Sequence, residues 1–131
     1  QRLKLSILPK DFFIDLFFNT VNIKLDFLQA YKGEELLSSI AVISDKNYSY
    51  YWLGNNRIDV MNFGQGELLQ WEAIKLMKEK GCNIYDLCFI DPIKLPHLYL
   101  FKKGFSTTEV SVPVIQYKSL YYKILNKLFH D

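Results

Sequence analysis

The chain has 131 residues, half of them apolar, with ten Phe and nine Tyr, which suits a single domain with one sizeable core and excludes a disordered tail. Its formal charge of +2 is too small to announce a nucleic-acid or membrane partner. Cys82 and Cys88 come without a C-x-x-C spacing or a set of histidines, which argues against zinc, thioredoxin-like chemistry and a disulfide framework. Two free, mostly buried thiols on one face of a strand, in a reducing compartment, are expected. No apolar run reaches the roughly 18 to 20 residues of a membrane span and no signal peptide heads the sequence, so a cytoplasmic location is expected. The first residue is Gln rather than Met, as in a processed chain or the tail half of something longer.

Leu3, Leu5 and Ile7 alternate with Lys4 and Ser6 before Pro9, the pattern of a short extended segment leading into a helix start. From Lys10 to Asn19 the spacing predicts a helix whose stripe of Phe12, Phe13, Leu16 and Phe17 packs on the core. From Ile23 to Leu53 the period switches to two, in three runs separated by KGEE and DKN, which predicts an antiparallel meander. Its aromatics place Tyr48, Tyr50 and Trp52 on one face and Tyr51 with Leu53 on the other. Asn55 to Phe63 is the least regular part.

The stretch from Asn62 to Phe105 reads as glycine loop, helix, buried strand and short helix. Leu69, Ala73, Leu76 and Met77 mark one buried face of a helix that Gly81 ends. Asn83 to Ile90 is almost continuously apolar, as in a central strand buried on both faces, with Asp86 needing hydrogen-bond partners inside it. A short helix stops at Gly104, an edge strand or broken pair is expected over Thr107 to Tyr117, and a basic aromatic helix over Ser119 to Phe129. The fold class is therefore α/β: a single mixed sheet, an antiparallel meander followed by a β-α-β unit.

A glycine loop running into a helix presents unpaired backbone N–H groups to an anion, and Gly64, Gln65, Gly66 and Glu67 occupy that position. A plain tight turn is the alternative reading of the same glycines. The switch from meander to crossover leaves a crevice at the strand ends, which Asp59 and Asp91 are placed to border. His97 and His130 read as surface residues, with no third ligand in view for a metal.

The order of elements, the segment LLQWEAIKLMKEKG, the strand segment YDL and the helix end LYLFKKGF resemble the Gcn5-related N-acyltransferase (GNAT) fold, and more narrowly its FemAB-like branch, which includes BioF2-like acetyltransferases and peptidoglycan aminoacyl-ligases. The resemblance runs from about Phe12 to about Tyr117. It implies one GNAT-like domain over residues 1–131, or the C-terminal module of a tandem protein with a second GNAT-like module. It implies transfer of an acyl group from acyl-coenzyme A, or of an aminoacyl group from aminoacyl-tRNA, to the amine of a small molecule or cell-envelope precursor, with no metal. Lys102, in Phe101-Lys102-Lys103-Gly104-Phe105, matches the lysine associated with the transfer site of that branch; a solvated lysine at a helix end is the structural alternative. Tyr99 is a candidate acid for the leaving group. Two positions depart from the wider family: Met61 stands where a Gln or Arg precedes the glycine loop, and Leu100 stands where the acidic tyrosine is common. Both departures leave open a module that keeps the fold and binds without catalysis.

Overall fold

In the computed structural model, which describes residues 9–113 and 117, the period-two runs form three antiparallel strands: β1 (Lys24–Lys32), β2 (Glu35–Ser44) and β3 (Tyr48–Asn56). Gly33 takes a φ of 60° in the first turn, a left-handed conformation that glycine adopts without a Cβ penalty. In the second, Asp45 Oδ1 accepts hydrogen bonds from the amides of Asn47 and Tyr48 (both 2.8 Å), and the Asp45 amide donates to Tyr48 O (2.9 Å). The aspartate thus builds the hairpin turn from its own side chain.

The helix α1 (Lys10–Phe18) precedes the meander, and α2 (Gln65–Glu79) follows it. One face of α2 supplies Leu69, Ala73 and Met77 to a core completed by Ile40 and Val42 of β2. Gly81, at φ 87°, ends the helix as its sequence predicts: the Cys82 amide donates to Met77 O and the Gly81 amide to Lys78 O (3.0 Å each), the paired bonds of a Schellman motif. The chain then enters β4 (Ile84–Asp86), which lies parallel to β3 with Tyr48 opposite Ile84 and Tyr50 opposite Asp86. The strand order is β1-β2-β3-β4, a single mixed sheet with the β-α-β unit at its end. The last described helix, α3 (Pro96–Lys103), has Pro at its first position, where a missing N–H costs nothing.

Three expectations are corrected. The strand expected over Asn83 to Ile90 is three residues long and half-buried, and β4 is the edge of the sheet among the described residues. Consequently neither Cys82 nor Cys88 lies in it; both are free thiols. The stripe of α1 is not core among the described residues: Phe12 is 43% and Phe17 51% exposed, and the helix touches the sheet where Phe12 and Phe13 pack on Trp52, with ring centroids 6.1 and 5.7 Å away. Residues 107–113 form no strand. The segment from Leu3 to Ile7 and the helix expected over Ser119 to Phe129 lie outside the described residues.

A one-residue irregularity in β3 decides which aromatics face where. Ala41 pairs with Leu53 but Val42 with Tyr51, so Trp52 has no opposite residue. This β-bulge places Tyr51 and Gly54 opposite Val42 and Ile40 on the α2 face, and leaves Trp52 to meet α1 on the other.

Candidate active site

The glycine loop is assembled by its own polar side chains. The Gly64 amide donates to Asn62 Oδ1 (2.9 Å) and the Phe63 amide to Gln65 Oε1 (2.7 Å), with Gly64 at φ 80° as the N-cap of α2. Those two loop amides are therefore engaged. Helix geometry leaves the first-turn amides of buried Gln65 and Gly66 and of exposed Glu67 without an intrahelical partner. Gly66 packs on β3, since a Cβ there would sit 2.9 Å from Asn56 Nδ2. Ahead of the loop, the Arg57 guanidinium donates to Glu35 Oε1 (3.0 Å) and to Asp59 Oδ1 (2.9 Å). Arg57 holds the Asp59 carboxyl down to about 2, so Asp59 serves the loop as an anion tied to its neighbour. Met61 is largely exposed, as is Leu100 on α3.

β3 and β4 part at the switch point where a crevice is expected. Their pairing ends at Tyr50 and Asp86, because Asp86 Oδ1 accepts the Cys88 amide (2.6 Å) and Cys88 turns to φ 62°. This local side-chain bond competes with the strand ladder and stops it. Asp86 has the partners its position demands, since Tyr48 Oη donates to its Oδ2 (2.9 Å).

Lys102 is buried beside this break, 9% exposed, and is not the solvated lysine of the structural alternative. Its Nζ donates to Cys88 O (3.4 Å) and lies 5.6 Å from the centre of the Tyr51 ring. Burial pushes its pKa down, opposed by the Cys88 thiol and the Asp86 carboxylate. Tyr99 is separate from this contact set: its hydroxyl faces Glu109 (3.0 Å to Oε1) and receives the Lys103 ammonium (3.1 Å). Asp91 is likewise spent locally, accepting the amides of Ile93 and Lys94.

Tyr51, expected to share a strand face with Leu53, is separated from it by the bulge and stands beside Lys102. Its hydroxyl lies against bare Gly54, where a Cβ would come within 2.0 Å of the oxygen. The signal was present in Gly54 itself, because a glycine inside a strand marks a bulge or a close approach. The segment of β3 from half-buried Tyr51 to exposed Asn56 thus runs from Lys102 to the Gly66 end of the loop, roughly 15 Å at the rise of a strand. Below it, buried Gln70 donates to the Tyr85 hydroxyl (2.6 Å), and its own Oε1 has no partner among the described residues. No group of three His, Cys, Asp or Glu suited to a metal occurs among the described residues, and no helix there is long and apolar enough to cross a membrane.

These contacts predict alkaline lability. Burial raises the pKa of Tyr51, Tyr85 and Cys88, and the bond to Asp86 raises Tyr48 to about 12. The unfolded chain loses these protons first, at the ordinary values of 9.0 for Cys and 10.0 for Tyr, so stability falls as pH rises through them. Lys102 acts in the opposite sense, because its folded form releases a proton before the unfolded one does, but it is one group against four. The unfolding temperature should drop between about pH 9 and pH 11, and Tyr48→Phe should flatten the drop; melts followed by circular dichroism check this.

Comparison with known proteins agrees with this architecture. Two crystal structures of an aminoglycoside acetyltransferase, meta-AAC0020 from an uncultured soil metagenomic sample, share the fold. The complex with trehalose is 17% identical with a TM-score of 0.63, covering 90% of this chain and 79% of that one. The complex with sisomicin is 16% identical with a TM-score of 0.63, covering 89% and 79%. No curated protein matches the chain. Residues 2–92 match the family described as an acetyltransferase (GNAT) domain, well over half of the sequence. The chain belongs to the GNAT acetyltransferase domain family.

Proposed function

We propose that the protein is an N-acyltransferase of the FemAB-like branch that moves an acyl group from a coenzyme A thioester to an acceptor amine. The observation that carries this reading is a buried lysine at one end of a strand segment and the first-turn amides of α2, free of intrahelical partners, at the other. The amides of Gln65, Gly66 and Glu67 suit the donor's phosphates, and the crevice beside Tyr51 and Lys102 suits the thioester. A deprotonated amine attacks the acyl carbon, the C–N bond forms, and the C–S bond breaks with its electron pair left on sulfur. The amine's extra proton leaves to solvent. Lys102, held out of bulk water as an ammonium, opposes the negative charge that develops on the carbonyl oxygen and then on sulfur. Tyr99 takes a lesser part in this proposal, because its hydroxyl faces Glu109 and Lys103. The family's acetyltransferase character favours a coenzyme A thioester over aminoacyl-tRNA. The fold neighbour's name makes an amino-sugar amine the first acceptor to assay.

A second reading is a module that keeps the fold and binds without turnover. It is favoured by the loop amides of Phe63 and Gly64, which their neighbours' side chains already occupy. Thermal melts with acetyl-coenzyme A separate the two. A donor that binds the folded state adds about 2.7 kcal/mol of stability at 100 times its dissociation constant. Stabilisation with acetylated product by mass spectrometry supports the enzyme; stabilisation without product supports the second reading; no stabilisation overturns the donor assignment.

A further inference from the structure

Cys88 is the one non-glycine residue with positive φ among the described residues, and it follows β4 by only two positions. In that conformation its Cβ crowds the backbone, so something must hold it there. The holder is visible. Asp86 Oδ1 takes the Cys88 amide at 2.6 Å, and Tyr48 Oη anchors the other carboxylate oxygen at 2.9 Å. On the far side of the same peptide segment, the Cys88 carbonyl accepts Lys102 Nζ at 3.4 Å. Four groups from three elements form one chain of hydrogen bonds: the Tyr48 hydroxyl, the Asp86 carboxylate, the Cys88 backbone and the Lys102 ammonium.

We propose that Asp86 is a positioning residue for Lys102: its carboxylate clamps the Cys88 amide, keeps Cys88 left-handed, and so aims the Cys88 carbonyl at the Lys102 ammonium. The catalytic importance of this aim rests on the acyltransferase reading above; the aim itself does not. Tyr51 of β3 covers the other side of the ammonium with its ring face, and the Cys88 thiol stands close by. Asp86 is the carboxylate whose charge acts on Lys102. Asp86 therefore works on Lys102 in two ways, by aiming its acceptor and by favouring its charged form.

The test reads Lys102 directly. The intact protein is labelled with trace acetic anhydride across pH, and the ε-amine titration of Lys102 is followed by peptide mass spectrometry. Asp86→Asn should lower the Lys102 pKa, since the carboxylate charge and the aimed carbonyl are lost together. Cys88→Val, whose branched side chain resists positive φ, should move it in the same direction. Cys88→Gly loses the same thiol but is at home in that conformation, so Lys102 should titrate higher in it than in Cys88→Val. An unchanged Lys102 titration in folded Asp86→Asn, or equal titrations in Cys88→Val and Cys88→Gly, overturns the proposal. If Asp86→Asn does not fold, the contrast between Cys88→Val and Cys88→Gly decides it. A protein that fails to bind acetyl-coenzyme A would remove the acyltransferase reading while leaving the labelling result intact, so the two fail separately.

Discussion

Lys102→Met should lower acyl transfer from acetyl-coenzyme A by about 100-fold or more, with the unfolding temperature within roughly 3 °C of the parent. The two halves of that expectation have different physical origins. Methionine keeps an unbranched stem of similar length at this buried position, so little apolar contact is lost. The Cys88 carbonyl loses its donor, a cost of about 1–3 kcal/mol where the group is buried, while removing a desolvated ammonium returns a comparable amount. Stability therefore changes little. Chemistry has no such offset, because a cation held in a site of low dielectric acts on charge that exists only as the reaction proceeds. Steady-state rates with an amino-sugar acceptor, alongside thermal melts, check both halves. Parent-like turnover would reduce Lys102 to a packing residue. A collapse of stability would show that its burial serves the fold instead.

Met77→Ala should cost about 2–5 kcal/mol of folding stability, a large share of the 5–15 kcal/mol usual for a domain. Met77 is 1% exposed and sits in the cluster of Ile40, Val42, Leu69 and Ala73 that joins α2 to the sheet. Truncation removes buried methylenes and the thioether, and leaves a cavity that the rigid strand side cannot refill. Met77 is also the residue whose carbonyl receives the Cys82 amide in the helix stop, so a shift there reaches the entry to β4. Urea unfolding should show a lower midpoint at unchanged slope. A loss below about 1 kcal/mol would mean that the α2–sheet contact is not the centre of the core.

Both experiments probe places where local pattern and tertiary packing contributed differently. The Met77 face was legible, since Leu69, Ala73, Leu76 and Met77 repeat with the helix period and the face they define is buried. The Gly81 stop was legible for a similar reason: a left-handed residue after a helix is most easily glycine. The anion-facing start of α2 was legible as a glycine loop, but its occupancy was not. Nothing in the spacing of Asn62 and Gln65 says that their side chains fold back on the loop amides.

The run from Asn83 to Ile90 misled because an apolar segment carries no record of its own interruption. Asp86 was recognised as needing partners, and it has them, but the bond to the Cys88 amide also ends the strand. The α1 stripe has the spacing of a core face and yet stays largely exposed, with Phe12 and Phe13 resting on Trp52. Spacing defines a face; only a neighbouring element determines whether that face is covered.

The sequence by itself determined the order of elements, the antiparallel meander, the parallel crossover and the placement of Lys102 at the end of a short helix. Those features follow from period two, period 3.6 and glycine conformation, which are local properties of the chain. The tertiary structure decided that Lys102 is buried, that Tyr51 is its aromatic neighbour and that Asp86 reaches it through Cys88. The physical reason is the bulge at Trp52 and the left-handed turn at Cys88. Each redirects every side chain after it by the smallest possible change in backbone, and neither leaves a periodicity for the sequence to display.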